Sequence, residues 1–179
     1  MRPDLAQWQR HDVLADGTRV FVRPLKPEDA ALYPDFGGEV TPDDVRLRFF
    51  APIRELSDAR IHELTQLDYD RAMAFVAIEE ATGKMLGVVR LHLDEDRAGG
   101  EYAVIVRSRL KGHGLGWLLM QRMIDYATAA GLKRIRGQVL TENSTMLRMC
   151  TELGFNVTDD PDSSSVKVVI LNLGTNATR

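Results

Sequence analysis

Much that would mark a specialised protein is missing from this chain. Its 179 residues hold a single cysteine, Cys150, so no internal disulfide can form and a reducing, cytoplasmic compartment is expected. The 4 histidines and that cysteine are scattered without metal-ligand spacing, which points away from a metal site. No apolar run approaches the ~20 residues of a membrane span. Met1 to Gln9 shows no apolar stretch flanked by positive charge, so no secretory leader is read there. Charge of one sign is lacking too: 23 Lys and Arg against 26 Asp and Glu leave a net charge of −3. Nucleic-acid binding through a basic footprint is thereby disfavoured. Neither an internal repeat nor a linker is visible.

What remains is an ordinary globular composition, 44% hydrophobic and 27% charged, enough for the core of one domain. The patterned segments run over residues 18–173. Residues 1–17 and 174–179 are polar or small and read as tails, so one unit without an attached regulatory domain is expected.

A Val- and Phe-containing strand is predicted at Arg19–Leu25. Helix starts follow at Pro27-Glu28-Asp29, at Thr41-Pro42-Asp43-Asp44 and behind Ser57, where Ile61, Leu64 and Leu67 recur at helical spacing. Runs at 72–78, 85–93 and 101–106 have short connections and predict an antiparallel meander. The strongest helical pattern carries Leu115, Leu118, Leu119 and Met123, with Gly131 at its end. A strand at 133–140, a short helix capped by Asn143 and a strand at 166–173 complete a mixed α/β domain with helices packed on one sheet.

Between strand and best helix lies Lys111-Gly112-His113-Gly114-Leu115-Gly116. Such glycines let consecutive N–H groups converge, and a helix N-terminus adds partial positive charge, which together suit a phosphate or pyrophosphate. No Gly-Lys-Ser/Thr follows, which excludes a Walker A loop, and the position after a meander does not suit a dinucleotide fold. A plain tight turn is the other reading. In its context, however, the stretch resembles motif A of the GNAT N-acetyltransferases, Gln/Arg-x-x-Gly-x-Gly/Ala, in the register Lys111, Gly114, Gly116. A register beginning at Arg109 also fits. Asn143, Leu147, Cys150 and Gly154-Phe155 are similar to a second family stretch. Arg23-Pro24-Leu25-Lys26-Pro27-Glu28-Asp29-Ala30, Arg48-Phe49-Phe50, Leu67–Ala74 and Glu101–Arg107 resemble the GNAT domain of bacterial protein lysine acetyltransferases, the Pat family.

The resemblance implies an α+β GNAT fold, a central, mostly antiparallel mixed sheet with helices on both faces. It also implies acetyl-CoA as co-substrate, held at its pyrophosphate by the amides of Lys111, Gly112, His113, Gly114, Leu115 and Gly116. Backbone of Val104, Ile105 and Val106 would pair with the pantetheine arm and polarise the acetyl carbonyl. Asn143 would lie beside the same arm, besides capping its helix.

Acyl transfer to an amine needs a base, a polarised carbonyl and a departing thiolate. Glu101 is the expected base: it shares a strand face with Ala103 and Ile105, so apolar surroundings that raise a carboxyl pKa are anticipated. It also matches the Pat-like catalytic Glu. His92 is the rival. Cys150 stands where many GNAT members have Tyr; an acid, an acyl-accepting nucleophile and a small core residue are all open. On the substrate side, Arg48 and Phe49 are candidates, with Asp68 and Asp70 to attract a lysine ammonium; Phe49 and Phe50 can equally be core.

The sequence therefore reads as an N-acetyltransferase working by direct transfer in a ternary complex, with a protein lysine as acceptor, an acyl-CoA synthetase being one such protein. A small-molecule amine acetyltransferase and a non-catalytic acyl-CoA sensor are the alternatives. No nucleic-acid, membrane or metal partner is expected, and monomer and homodimer stay open.

Overall fold

The computed structural model describes residues 3–49, 57–110, 112 and 114–174, without the side chain of Phe49. Its strands are β1 (Arg10–Val13), β2 (Arg19–Pro24), β3 (Ala72–Glu79), β4 (Met85–Leu93), β5 (Gly99–Val106), β6 (Arg134–Leu140), β7 (Asn156–Asp160) and β8 (Ser163–Asn172). They form one sheet in the order β1-β2-β3-β4-β5-β6-β8-β7. Every pairing is antiparallel except β5 with β6. The expected meander is β3-β4-β5. The helices are α1 (Tyr33–Gly38), α2 (Pro42–Phe49), α3 (Asp58–Thr65), α4 (Leu115–Ala129) and α5 (Ser144–Glu152).

Strand alternation sorts the core into two layers. On one face Met73, Phe75 and Ala77 of β3 pack with Leu115, Leu119, Met120 and Met123 of α4 and Cys150 of α5. On the other, Ala74 and Val76 of the same strand meet Tyr33 and Phe36 of α1 and Ile61 and Leu64 of α3. Each such side chain, fully buried, contributes about 1.5–3 kcal/mol of transfer free energy. Among the described residues no helix is long and apolar enough to cross a membrane.

The second face also buries charge. Asp29 accepts both guanidinium nitrogens of Arg23 at 2.7 and 2.8 Å and the Lys26 N–H at 2.8 Å. Arg90 donates to the Tyr33 hydroxyl at 2.6 Å, and Arg107 donates to the Met85 carbonyl at 2.7 Å and to Asp35. Charge is tolerable there because each group is paired or hydrogen-bonded.

The N-terminal tail expected over residues 1–17 is corrected. Leu5–Trp8 form a 3-10 turn and Arg10–Val13 pair with β2. The Trp8 ring packs edge-on against Tyr126, 5.3 Å between centroids, and lies 6.1 Å from Phe75. One aromatic anchor thus fixes a segment whose polar residues alone suggested a loose end. The edge strand β7 has no counterpart among the expected strands; four of its five residues are polar and it lies largely exposed.

Candidate active site

The site begins where β5 and β6 part. They pair only over Gly99–Glu101 and Arg134–Arg136; beyond that, β6 continues on β8 and β5 on β4. The Arg107 N–H donates to the Leu86 carbonyl on β4 and the Lys133 N–H to the Ala98 carbonyl. The β4–β5 register runs unbroken from Leu93↔Gly100 to Gly87↔Val106, so odd-numbered β5 residues turn their backbone groups toward β4. Even-numbered ones turn away from it, and at Val104 and Val106 those amides and carbonyls open into the wedge. Ile105 lines the wedge, but its backbone is spent on β4, which corrects its expected pairing with a pantetheine arm.

At the open end of the wedge, Gly112 and Gly114 have φ of +83° and +87°, a left-handed conformation that L side chains rarely adopt. Gly114 is the N-cap of α4, and its carbonyl receives the Leu118 N–H at 3.0 Å. The amides of Leu115, Gly116 and Trp117 precede the first intrahelical bond, so they and the helix dipole suit an anion at this end. Lys111 and His113 lie outside the described residues. Asn143 caps α5 by accepting the Met146 N–H at 3.2 Å. It lines the same groove of about 500 Å³, with Trp117, Met146, Met149 and Glu101. A chain of apolar wall, open strand backbone and helix-terminal amides fits the thiol arm and pyrophosphate of a coenzyme A ester.

Glu101 and Tyr102, consecutive on β5, leave the strand on opposite faces. Glu101 faces the side of α1–α3, its side chain 54% exposed and 3.8 Å from an Arg136 nitrogen. The apolar enclosure expected for it is absent: Arg136, clamped on Asp94 at 2.6 and 2.7 Å, and His92, its register partner on β4, border it. Partial burial and then the charges of Arg90 and Arg48 hold the His92 imidazole below its usual range, opposed by Glu101. Arg48 lines the groove. Burial, then Arg90 and Arg60, lowers it to about 10, still cationic at neutral pH.

Tyr102 points the other way. It is 7% exposed, and its hydroxyl lies 3.1 Å from the Cys150 sulfur. Cys150 is fully buried, and burial pushes its thiol up despite the Tyr102 contact. The proposed acyl-accepting or acid role of Cys150 is therefore corrected to a core position, because its sulfur has no exposed surface toward the groove. Asp68 and Asp70 are corrected as well. They sit in the turn before β3, where the Asp70 N–H donates to Asp68 and Asp68 lies 4.0 Å from Arg71, outside the groove lining. Phe49 ends α2, and its side chain and all of Phe50 are outside the described residues.

Sequence reasoning missed Tyr102, Trp117 and Arg136. Tyr102 was within reach of it, since a residue adjoining the base must project to the opposite face. Arg136 gave no signal, because its place beside Glu101 comes from long-range pairing.

Residues 43–155 match the sequence model of the acetyltransferase (GNAT) family. The chain is similar to Acetyltransferase PA5475 of Pseudomonas aeruginosa, 32% identical over 154 residues, covering 85% of this chain and 83% of that one. It is 27% identical over 139 residues to Acetyltransferase Pat of Mycolicibacterium smegmatis, covering 77% of this chain and 41% of the relative, so it spans less than half of that longer protein. In fold it matches the crystal structure of the GNAT domain of S. lividans PAT with a TM-score of 0.86 at 24% identity, over 94% and 98% of the two chains.

Proposed function

Because this chain belongs to the GNAT family of acetyl-CoA-dependent N-acetyltransferases, we propose that its acceptor is the side-chain amine of a protein lysine. We further propose that Glu101 is the base and that transfer is direct, within a ternary complex. The observation that carries this reading is the placement of Glu101: half exposed, at the groove, on the face opposite the α4–α5 layer. A carboxylate so open is accessible to a lysine standing on a folded surface, whereas a small free amine gains most from an enclosed pocket. Arg48 and Arg136 beside Glu101 also disfavour a polycationic acceptor such as a polyamine at that carboxylate.

In this mechanism Glu101 takes a proton from the lysine ammonium, freeing the nitrogen lone pair. An amide of Val104 or Val106, turned into the wedge, stabilises the carbonyl oxygen as it gains charge. The anionic pyrophosphate rests on the first-turn amides of α4. Thiol release from acetyl-CoA is to be measured across folded acyl-CoA synthetases, polyamines and free amino acids. Turnover of one or more proteins with site-specific lysine acetylation is expected; turnover of small amines alone overturns the acceptor assignment.

A further inference from the structure

The last rung joining β5 to β6 is Glu101↔Arg136, so Tyr102 and Gly137 are the first residues past it, at the narrow end of the wedge. Gly137 has no side chain, and the Tyr102 ring takes that place: a Cβ on Gly137 would come within 2.4 Å of ring atom Cε1 and 2.9 Å of Cδ1. The ring therefore reaches from β5 across to β6 on the α4–α5 face, where Phe155 braces it at 5.7 Å between centroids. Its hydroxyl is turned to the Cys150 sulfur, which has no exposed surface, so Tyr102 borders the groove through its ring, beside Val104 and Val139. A thiol arm laid from the first turn of α4 toward this end carries its acyl group ahead of it. Of the two amides turned into the wedge, that of Val104 is the nearer to Glu101, and a carbonyl held there points its tail along the stretch from Val104 to Tyr102. Two residues of strand span about 7 Å, and carbon–carbon contact with the ring takes about 3.5–4 Å of that. The remainder accommodates a methyl group and one further carbon. On the opposite face Arg136, 3.8 Å from Glu101, borders the same end and offers no apolar exit.

We propose that the Tyr102 ring is an acyl-length stop, so that acetyl-CoA and propionyl-CoA serve as donors whereas butyryl-CoA and longer thioesters are excluded. The transfer itself is the same for each donor: ammonium and thioester give amide, free coenzyme A thiol and one proton. The ring acts by bulk alone, and neither its hydroxyl nor Cys150 takes part in the reaction. The inference rests on the proposed placement of the thioester beside Val104 and Glu101 and not on which amine accepts, so it is tested with whichever amine the wild type turns over.

The quantity to measure is the ratio of kcat/KM for butyryl-CoA to that for acetyl-CoA, taken on one preparation with one amine, because such a ratio does not depend on the folded fraction. In the wild type butyryl-CoA is expected to be about 100-fold poorer than acetyl-CoA, and propionyl-CoA less than about 10-fold poorer. Tyr102→Phe keeps the ring over Gly137 and should leave the ratio unchanged. Tyr102→Val removes the ring and should raise the ratio about 10-fold or more; Tyr102→Leu gives the same reading if the valine variant melts below the assay temperature. Calorimetry of acetyl-CoA and butyryl-CoA without any acceptor supplies a second reading, in which the wild type binds butyryl-CoA the more weakly and the valine variant narrows the gap. A chain that turns over no protein lysine yet shows this donor selectivity fails the acceptor assignment alone, and one whose Glu101→Gln variant keeps full rate fails the base assignment alone. A wild type that uses butyryl-CoA as well as acetyl-CoA overturns the stop. So does a valine or leucine variant with the wild-type ratio, or a Tyr102→Phe variant whose donor range broadens.

Discussion

On the side of α4 and α5 the core is lined by Leu115, Leu119, Met123, Tyr102 and Cys150, side chains without a formal charge, with the buried Arg122 of α4 facing Asp12 at 3.5 Å toward the β1 edge. Under α1 to α3 it presents Arg23 with Asp29, Arg90 with Tyr33, and Arg107, all buried or nearly so, alongside an apolar cluster of its own. The division follows the reaction. A thioester arm is largely uncharged and is held by apolar contact and strand backbone, whereas the incoming amine arrives as a cation and must be discharged. Glu101 belongs to the second face and Tyr102 to the first, and a single peptide bond joins them. Strand alternation is thus enough to send two adjacent side chains to opposite faces of the sheet while both border the same groove.

Removing the carboxylate breaks the contrast most directly. Glu101→Gln keeps shape and loses the base, and kcat/KM at limiting amine is expected to fall about 1,000-fold, within the usual span of general-base effects. Acetyl-CoA affinity measured by calorimetry should stay near wild type, because the Glu101 side chain leaves β5 on the face opposite the proposed thiol-arm wall. A variant with full rate at limiting amine removes Glu101 from the mechanism.

The second test strips the charged face of one partner. Asp29→Ala leaves the largely buried Arg23 guanidinium without its two carboxylate bonds, at a cost of about 3 kcal/mol, read as a shift of the urea midpoint at constant m. Replacing both residues, Arg23→Met with Asp29→Leu, should recover most of that loss. If the double variant is as unstable as the single one, the pair is more than a matched charge.

On the apolar face the corresponding change is Gly137→Ala. The new Cβ would press on the Tyr102 ring, and overpacking of this kind costs about 1–3 kcal/mol. Melting temperature should fall by a few degrees. Tyr102→Leu placed on Gly137→Ala should restore part of that stability. An unchanged melting temperature for Gly137→Ala means that the ring does not lie where the contrast between faces requires it.

The sequence carried local features well. The meander from Ala72 to Val106, the caps Ser57 and Asn143, and the glycine turn ahead of Leu115 all depend on neighbours within a few residues, and each is where its pattern put it. Glu101 was legible through period 2 and a family resemblance. The rest is set by pairing between distant segments. No local pattern says that β6 leaves β5 after Glu101, that Arg136 thereby borders the base, or that Gly137 clears a path for the Tyr102 ring. Asp68 and Asp70 looked apt by charge alone, yet the turn before β3 holds them outside the groove. For Cys150 the helical spacing and its burial agree, and its sulfur meets the Tyr102 hydroxyl in the core rather than the groove.

The smallest expected effect concerns His92, the register partner of Glu101 on β4. Partial burial, Arg90 and Arg48 lower its folded-state pKa, and Glu101 only partly offsets them. The sign follows from linkage. Where the unfolded chain binds the proton more readily than the folded one, stability rises with pH. The contribution of His92 is therefore complete above its unfolded value of about 6.5 and is lost as pH falls through the lower folded value. Carboxylates elsewhere also titrate in acid, so the useful quantity is a difference: the change in melting temperature between pH 7 and pH 5, wild type against His92→Gln. The wild type should lose slightly more. A His92→Gln variant with the same acid dependence as wild type would show that neither burial nor the arginines of this face shift the imidazole. The electrostatic half of the contrast would then rest on Glu101 and Arg136 alone.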